Sequence, residues 1–205
     1  MLSGGLRTGL IDFTASRNGV SAVEFSLIAP ILLLMFMASI ELPRAYMIGK
    51  RLDNATATMA DLISRGNYTD LSPVFAALEA IANPYDVSRA SIVLTAGGTY
   101  QTQSGAAATT QVCSSAQSNG QARLAGSSLG LPPAGLDRAG DRFVMSEVTM
   151  PYRPIFPVFS SLVGWTFRYK RTWPVRGGDI YNGQSEIVLP SGKPCLLYTS
   201  PSPRD

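Results

Sequence analysis

The dominant feature of the hydrophobic pattern is an uninterrupted apolar run: no charged residue occurs between Glu24 and Glu41. Val20–Leu42 is about 23 residues, so as a helix it spans roughly 34 Å, enough for a hydrocarbon core of about 30 Å. Beyond the run the pattern turns periodic. Ile48, Leu52, Ala55, Met59 and Leu62 alternate spacings of four and three, which sets them on one helical face. Lys50, Arg51, Asp53, Asn54 and Asp61 fall on the others. The two stretches predict one rod from Val20 to Ser64, with "RGN" at Arg65–Asn67 as its stop. Pro30 and Pro43 lie within it and are expected to loosen or kink it, since each lacks an N–H and crowds the preceding turn.

After the rod the pattern shortens. "DLSPVFAALEAIANP" predicts a second helix, capped by Ser72, with Pro73 at its first position and Asn83-Pro84 at its end. "RASIVLTAGG" reads as a strand, the Gly97-Gly98 and Gly177-Gly178 pairs read as turns, and "GGTYQTQSGAAATTQ" reads as a hairpin tip or loop. "DRFVMSEVTMPY" is the strongest strand signal, and "TFRYKRTWPV" alternates apolar with basic residues as a strand with one wet face does. "GQSEIVLP" predicts an edge strand. The expected class is therefore α+β, with a small antiparallel sheet packed on the polar half of the long helix. "PIFPVFSSLVGW" reads as a loop or short helix, with two roles open: packing inward on the rod, or a subunit-docking patch.

Composition narrows the chemistry. The chain of 205 residues has no histidine, which removes the commonest general acid/base and metal ligand. Its 14 acidic residues are scattered, and neither a Gly-rich phosphate loop nor a G-x-S-x-G elbow is present. An enzyme, a metal site and a cofactor are not expected. The net charge of +3 is spread along the chain, which argues against nucleic acid as a partner. "FRYKRTWPVR" interleaves cations with aromatics and leaves two readings, contact with anionic polymers or a solvated strand face.

The ending "CLLYTSPSPRD" breaks in character from what precedes it and resembles the conceptual translation of a sequencing-adapter. Leu196–Asp205 is accordingly expected to be read-through, disordered and outside the fold, with the natural C-terminus lost; a natural polar tail is the alternative. Cys195 stands at the junction. If it is native, as the continuity of "LPSGKPC" favours, a disulfide with Cys113 would close a long loop and fit an oxidising compartment.

Glu24 is the odd residue, a carboxylate at the mouth of an apolar span. A cleaved export signal would need small residues in an A-x-A arrangement, and "MFMASIELP" offers none. Basic residues flank the span on both sides and do not set its orientation. The stretch "RNGVSAVEF" resembles a prepilin processing site, with the cut between Gly19 and Val20 and Glu24 as the fifth residue of the mature chain. A carboxylate there could neutralise the new α-ammonium of its own or a neighbouring chain and fix the register between subunits. The alternative is a boundary charge that snorkels to the headgroups.

With Phe25 after Glu24 and "APILLL" beyond, the pattern is similar to the TadE-like family, minor pseudopilins of the Tad (Flp, tight-adherence) machinery. "QVCSSAQSNG", "FVMSEVTMPYRPIFP" and "TWPVRGG" also resemble that family. The resemblance implies a pilin-like, single-pass protein of the bacterial inner membrane, its N-terminus cytoplasmic and its C-terminal domain periplasmic. Its implied partners are a prepilin peptidase, other pseudopilins and the major Flp pilin, a platform and ATPase, and the lipid bilayer. The implied divisions are a leader at 1–19, a span at 20–42, its amphipathic continuation at 43–66 and a head at 67–195. An uncleaved, membrane-anchored envelope protein whose head binds a partner or ligand is the alternative.

Overall fold

The computed structural model describes residues 17–101, 107–162, 164–181 and 183–195, with side chains of the first helix described from Ala22 onward. Most of the leader and the stretch after Cys195 thus lie outside the described residues. The first element, α1, runs from Arg17 to Ser64 with Pro30 and Pro43 inside it. It crosses the boundary between two compact units, Met1–Arg44 and Ala45–Asp205.

In the second unit α1 is amphipathic as its periodicity predicts. Ile48, Leu52, Ala55 and Met59 are buried, but the stripe ends on Ile63, with Leu62 only half-buried. The drift arises because an ideal helix has about 3.6 residues per turn, so the inward face rotates slowly along the sequence. Ser64 closes the helix, and its carbonyl accepts N–H bonds from Arg176 and Gly177 at 2.8 and 3.1 Å. These satisfy a helix end that would otherwise be orphaned.

The helix α2 (Ser72–Ala82) buries Val74, Leu78 and Ala82, one residue per turn. Ser72 is its first residue rather than its cap, which corrects the expectation. Leu71 holds the cap position without a side-chain bond, and the Asp70 carboxylate accepts from the Ser72 N–H and hydroxyl at 2.9 and 2.7 Å. Arg51 joins α1 to α2 by donating to the carbonyls of Ile81 and Asn83, with its guanidinium over the Tyr85 ring.

Five antiparallel strands follow: β1 (Ser91–Tyr100), β2 (Thr109–Ser118), β3 (Ser128–Gly130), β4 (Arg142–Pro151) and β5 (Thr166–Pro174), in the order β3-β2-β1-β4-β5. A short helix, α3 (Pro157–Leu162), lies between β4 and β5. Among the described residues the strands β6 (Asp179–Tyr181) and β7 (Gln184–Glu186) pair with each other and not with the main sheet, so "GQSEIVLP" is not its edge. Gly97-Gly98 is also not a turn. Both glycines lie within β1, and a Cβ on Gly97 would sit 2.8 Å from the Phe143 ring, so the pair is small to admit that ring.

One sheet face, with Ile92, Leu94, Ala96, Val144, Val148 and Met150, shares its core with α1, α2, Ile187 and Leu189. The other is crossed by the connection between β2 and β4, which is pinned by an Arg123–Glu147 ion pair at 2.8 Å and by Thr99 Oγ1 donating to the Leu136 carbonyl at 2.7 Å. On the inner face Ser146 is fully buried and its hydroxyl has no partner among the described residues. A buried hydroxyl without a hydrogen bond is a net cost, so Ser146→Ala is expected to raise stability by about 1 kcal/mol. Chemical denaturation of the detergent-solubilised chain checks this, and an unchanged or lower midpoint would refute it.

Candidate functional site

The candidate residues occupy separate places. Gly19 and Val20 are in the first helical turn of α1, and Glu24 follows one turn beyond Val20, about 6 Å along the axis. Glu24 and Phe25 are both exposed, Phe25 at 68%. The exposure continues through Leu27, Ile31, Leu34 and Phe36, so this part of the helix is apolar all round and uncovered by the other described residues. Such a surface demands an apolar solvent. The hydroxyls within it are spent internally: Ser26 Oγ donates to the Val23 carbonyl and Ser39 Oγ to that of Phe36, both at 2.7 Å. Internal satisfaction of this kind is what lets a hydroxyl enter lipid. At the far end Glu41 faces Arg44 at 3.7 Å. Among the described residues, α1 is the one helix long and apolar enough to cross a membrane.

In the second unit, β5 runs alongside α1. A Cβ on Gly49 would lie 2.7 Å from the Tyr169 hydroxyl, Asp53 takes a two-bond contact from Arg171 at 2.8 and 2.6 Å, and Asp61 pairs with Arg176 at 2.8 Å. Arg65 also bonds Asp61, and the Arg176 guanidinium stacks over Trp173 at 4.5 Å. The hydrogen bond and charge of Asp53 hold Arg171 above the ordinary arginine range. Tyr169 is raised above the usual phenol range by burial first and by Asp53 second. Arg171 of β5 and Arg176 just beyond its end thus clamp the helix, and Arg168 and Lys170 are exposed. Sequence reasoning separated Asp53 and Asp61 from the apolar face, but gave no sign of their partners.

The cysteines meet elsewhere. Cys113 and Cys195 form a disulfide, and the Cys195 N–H donates to Glu186 Oε2 at 2.9 Å. Glu186 is 1% exposed and pairs through its other oxygen with Arg142 at 2.8 Å. Arg142 also lies over the Tyr100 ring. The Leu189 N–H bonds Ser114 Oγ at 3.0 Å, so the segment after β7 is strapped to β2 by both side-chain and covalent links. This buried pair had no signal in the sequence beyond the presence of the two charges. Among the described residues no cluster of His, Cys, Asp and Glu could hold a metal ion.

Of the two roles open to "PIFPVFSSLVGW", inward packing is not what its described side chains show: Ile155, Val158 and Trp165 are 53%, 39% and 46% exposed. The cause is local, because β4 and β5 already fill their inner face with Met150, Tyr152, Phe167 and Tyr169.

These features define a class, an α+β domain carried on a long apolar helix of membrane-spanning length. Comparison sharpens it. Residues 19–61 match the family model described as TadE-like protein, so this segment of the chain is TadE-like. The match begins at Gly19, covers most of α1 and stops before α2 and the sheet. The family is a pilus-related structural one, which ties the chain to the Tad pilus in general terms. No curated protein and no solved structure matches the chain.

Proposed function

We propose that the chain is a minor pseudopilin of a Tad/Flp-type pilus, made as a precursor and cut between Gly19 and Val20 by a prepilin peptidase. The observation that carries this reading is the coincidence of three things at one point of α1. The TadE-like match starts at Gly19, the exposed apolar surface follows it, and Glu24 sits one turn beyond the proposed cut. Cleavage would leave an ammonium on Val20, and Glu24 is the carboxylate within one turn of it. The charge pair would set the axial register against neighbouring subunits in a medium too apolar to hydrate either group.

In this reading the second unit is displayed outside the cytoplasm, where an oxidising environment permits the Cys113–Cys195 bond. Other pseudopilins, the major Flp pilin, the platform, the ATPase and the bilayer are its partners. Contribution to assembly comes from packing and register. Intact-mass measurement of the chain co-expressed with its peptidase is the test. A mature chain beginning at Val20 is expected; an intact leader would favour an uncleaved, anchored envelope protein instead.

A further inference from the structure

We propose that Ile155, Val158 and Trp165, between β4 and β5, form a second membrane contact that rests in the bilayer interface. The contacts between β5 and α1 fix where this surface lies in the second unit. Tyr169 meets Gly49, Arg171 meets Asp53 and Arg176 meets Asp61, so strand and helix advance in the same direction. Thr166, at the start of β5, therefore lies toward the Ala45 end of the unit with Pro151, its pairing partner at the end of β4, so the connection between the two strands leaves and rejoins the sheet there. Tyr152 belongs to the same core as Ala45, and its N–H donates to the Trp165 carbonyl at 2.8 Å.

Ala45 is joined through Pro43 and Arg44 to the apolar stretch that ends at Leu42. Chain continuity alone keeps this end of the unit near whatever surface that stretch enters.

The chemistry of the patch suits lipid headgroups and upper acyl chains. Two exposed aliphatic side chains and a half-exposed indole lie within one connection, and Trp is enriched at membrane interfaces. Arg168 lies exposed close by, next to Phe167, and offers a cation to anionic headgroups. The bilayer requires only apolar exposure at the right depth.

The inference rests on the span being a membrane anchor, and the experiment separates the two. The full chain is reconstituted in phosphatidylcholine and phosphatidylglycerol vesicles, some carrying lipids brominated near the headgroup end of the acyl chain. Bromine should quench most of the Trp165 emission, and the quenched component should vanish in the Trp165→Phe variant while Trp173 emission remains. The Ile155→Ser, Val158→Ser double variant should lose most of the quenching while still floating with the vesicles. A chain that fails to float overturns the anchor. A chain that floats with its Trp165 emission unquenched at every bromine depth overturns the interfacial contact. So does undiminished quenching in the double variant, or a blue shift without quenching that grows with protein density, which would mark contact between copies.

Discussion

Replacing Glu24 with alanine is expected to leave the chain in the membrane and to remove it from pili. Insertion depends on the apolar stretch behind Glu24, which the substitution makes more apolar still, so the membrane-bound amount should hold or rise. Assembly is different, because a subunit whose Val20 ammonium has no carboxylate must dehydrate that charge alone. Losing one partner of such a pair is expected to lower pilus-associated protein by about tenfold or more. Glu24→Gln should behave like alanine if charge is what matters, because it keeps the shape and hydrogen-bonding capacity. Immunoblots of sheared pili against membrane fractions give the comparison. Wild-type incorporation of either variant would reduce Glu24 to a boundary residue that reaches for the headgroups.

The second large effect belongs to Glu186. Its two oxygens serve different parts of the second unit, Arg142 on β4 and the Cys195 N–H beyond β7. Glu186→Gln leaves the Arg142 guanidinium, itself only 9% exposed, without its counter-charge. Removing one partner from a buried pair costs about 3–5 kcal/mol, a large share of the about 5–15 kcal/mol that holds a typical domain together. Loss of the neighbouring disulfide, which closes a separation of 82 residues, is expected to cost a similar about 2–5 kcal/mol. Thermal unfolding and protease resistance of the detergent-solubilised Glu186→Gln chain are the measurements. A melting temperature equal to wild type would show that the pair contributes nothing net.

The helices were legible in the sequence because their signals are local. The change from continuous to periodic hydrophobicity in α1 marks the passage from exposed apolar surface to packed core, and α2 shows its apolar repeat and its Pro73 start. The strands β1, β4 and β5 also announced themselves by alternation. What could not be read depends on contacts distant in sequence. β2 is made of small and polar residues, and its burial at Cys113 and Ser114 comes from the returning segment that carries Leu189 and Cys195. Gly97-Gly98 resembles a turn until the Phe143 ring is placed against it. Likewise the acids of α1 and the basic residues of β5 are visible one by one, but only the fold makes them partners. Of the proposed site, the spacing of Gly19, Val20 and Glu24 along a single helix is readable in the sequence, and the role given to it is the proposal above.

The parallel course of β5 and α1 has a metrical consequence. From Gly49 to Asp53 the helix climbs about 6 Å, while Tyr169 to Arg171 covers about 6.6 Å of strand. One helical turn and one strand repeat of two are thus nearly commensurate, like the marks of two rulers laid edge to edge. Any change that lengthens the buried part of the rod has to come in matched units, a turn of helix with a pair of strand residues. An unmatched insertion would carry Asp61 past Arg176 and turn the strand's aromatic side away from the helix.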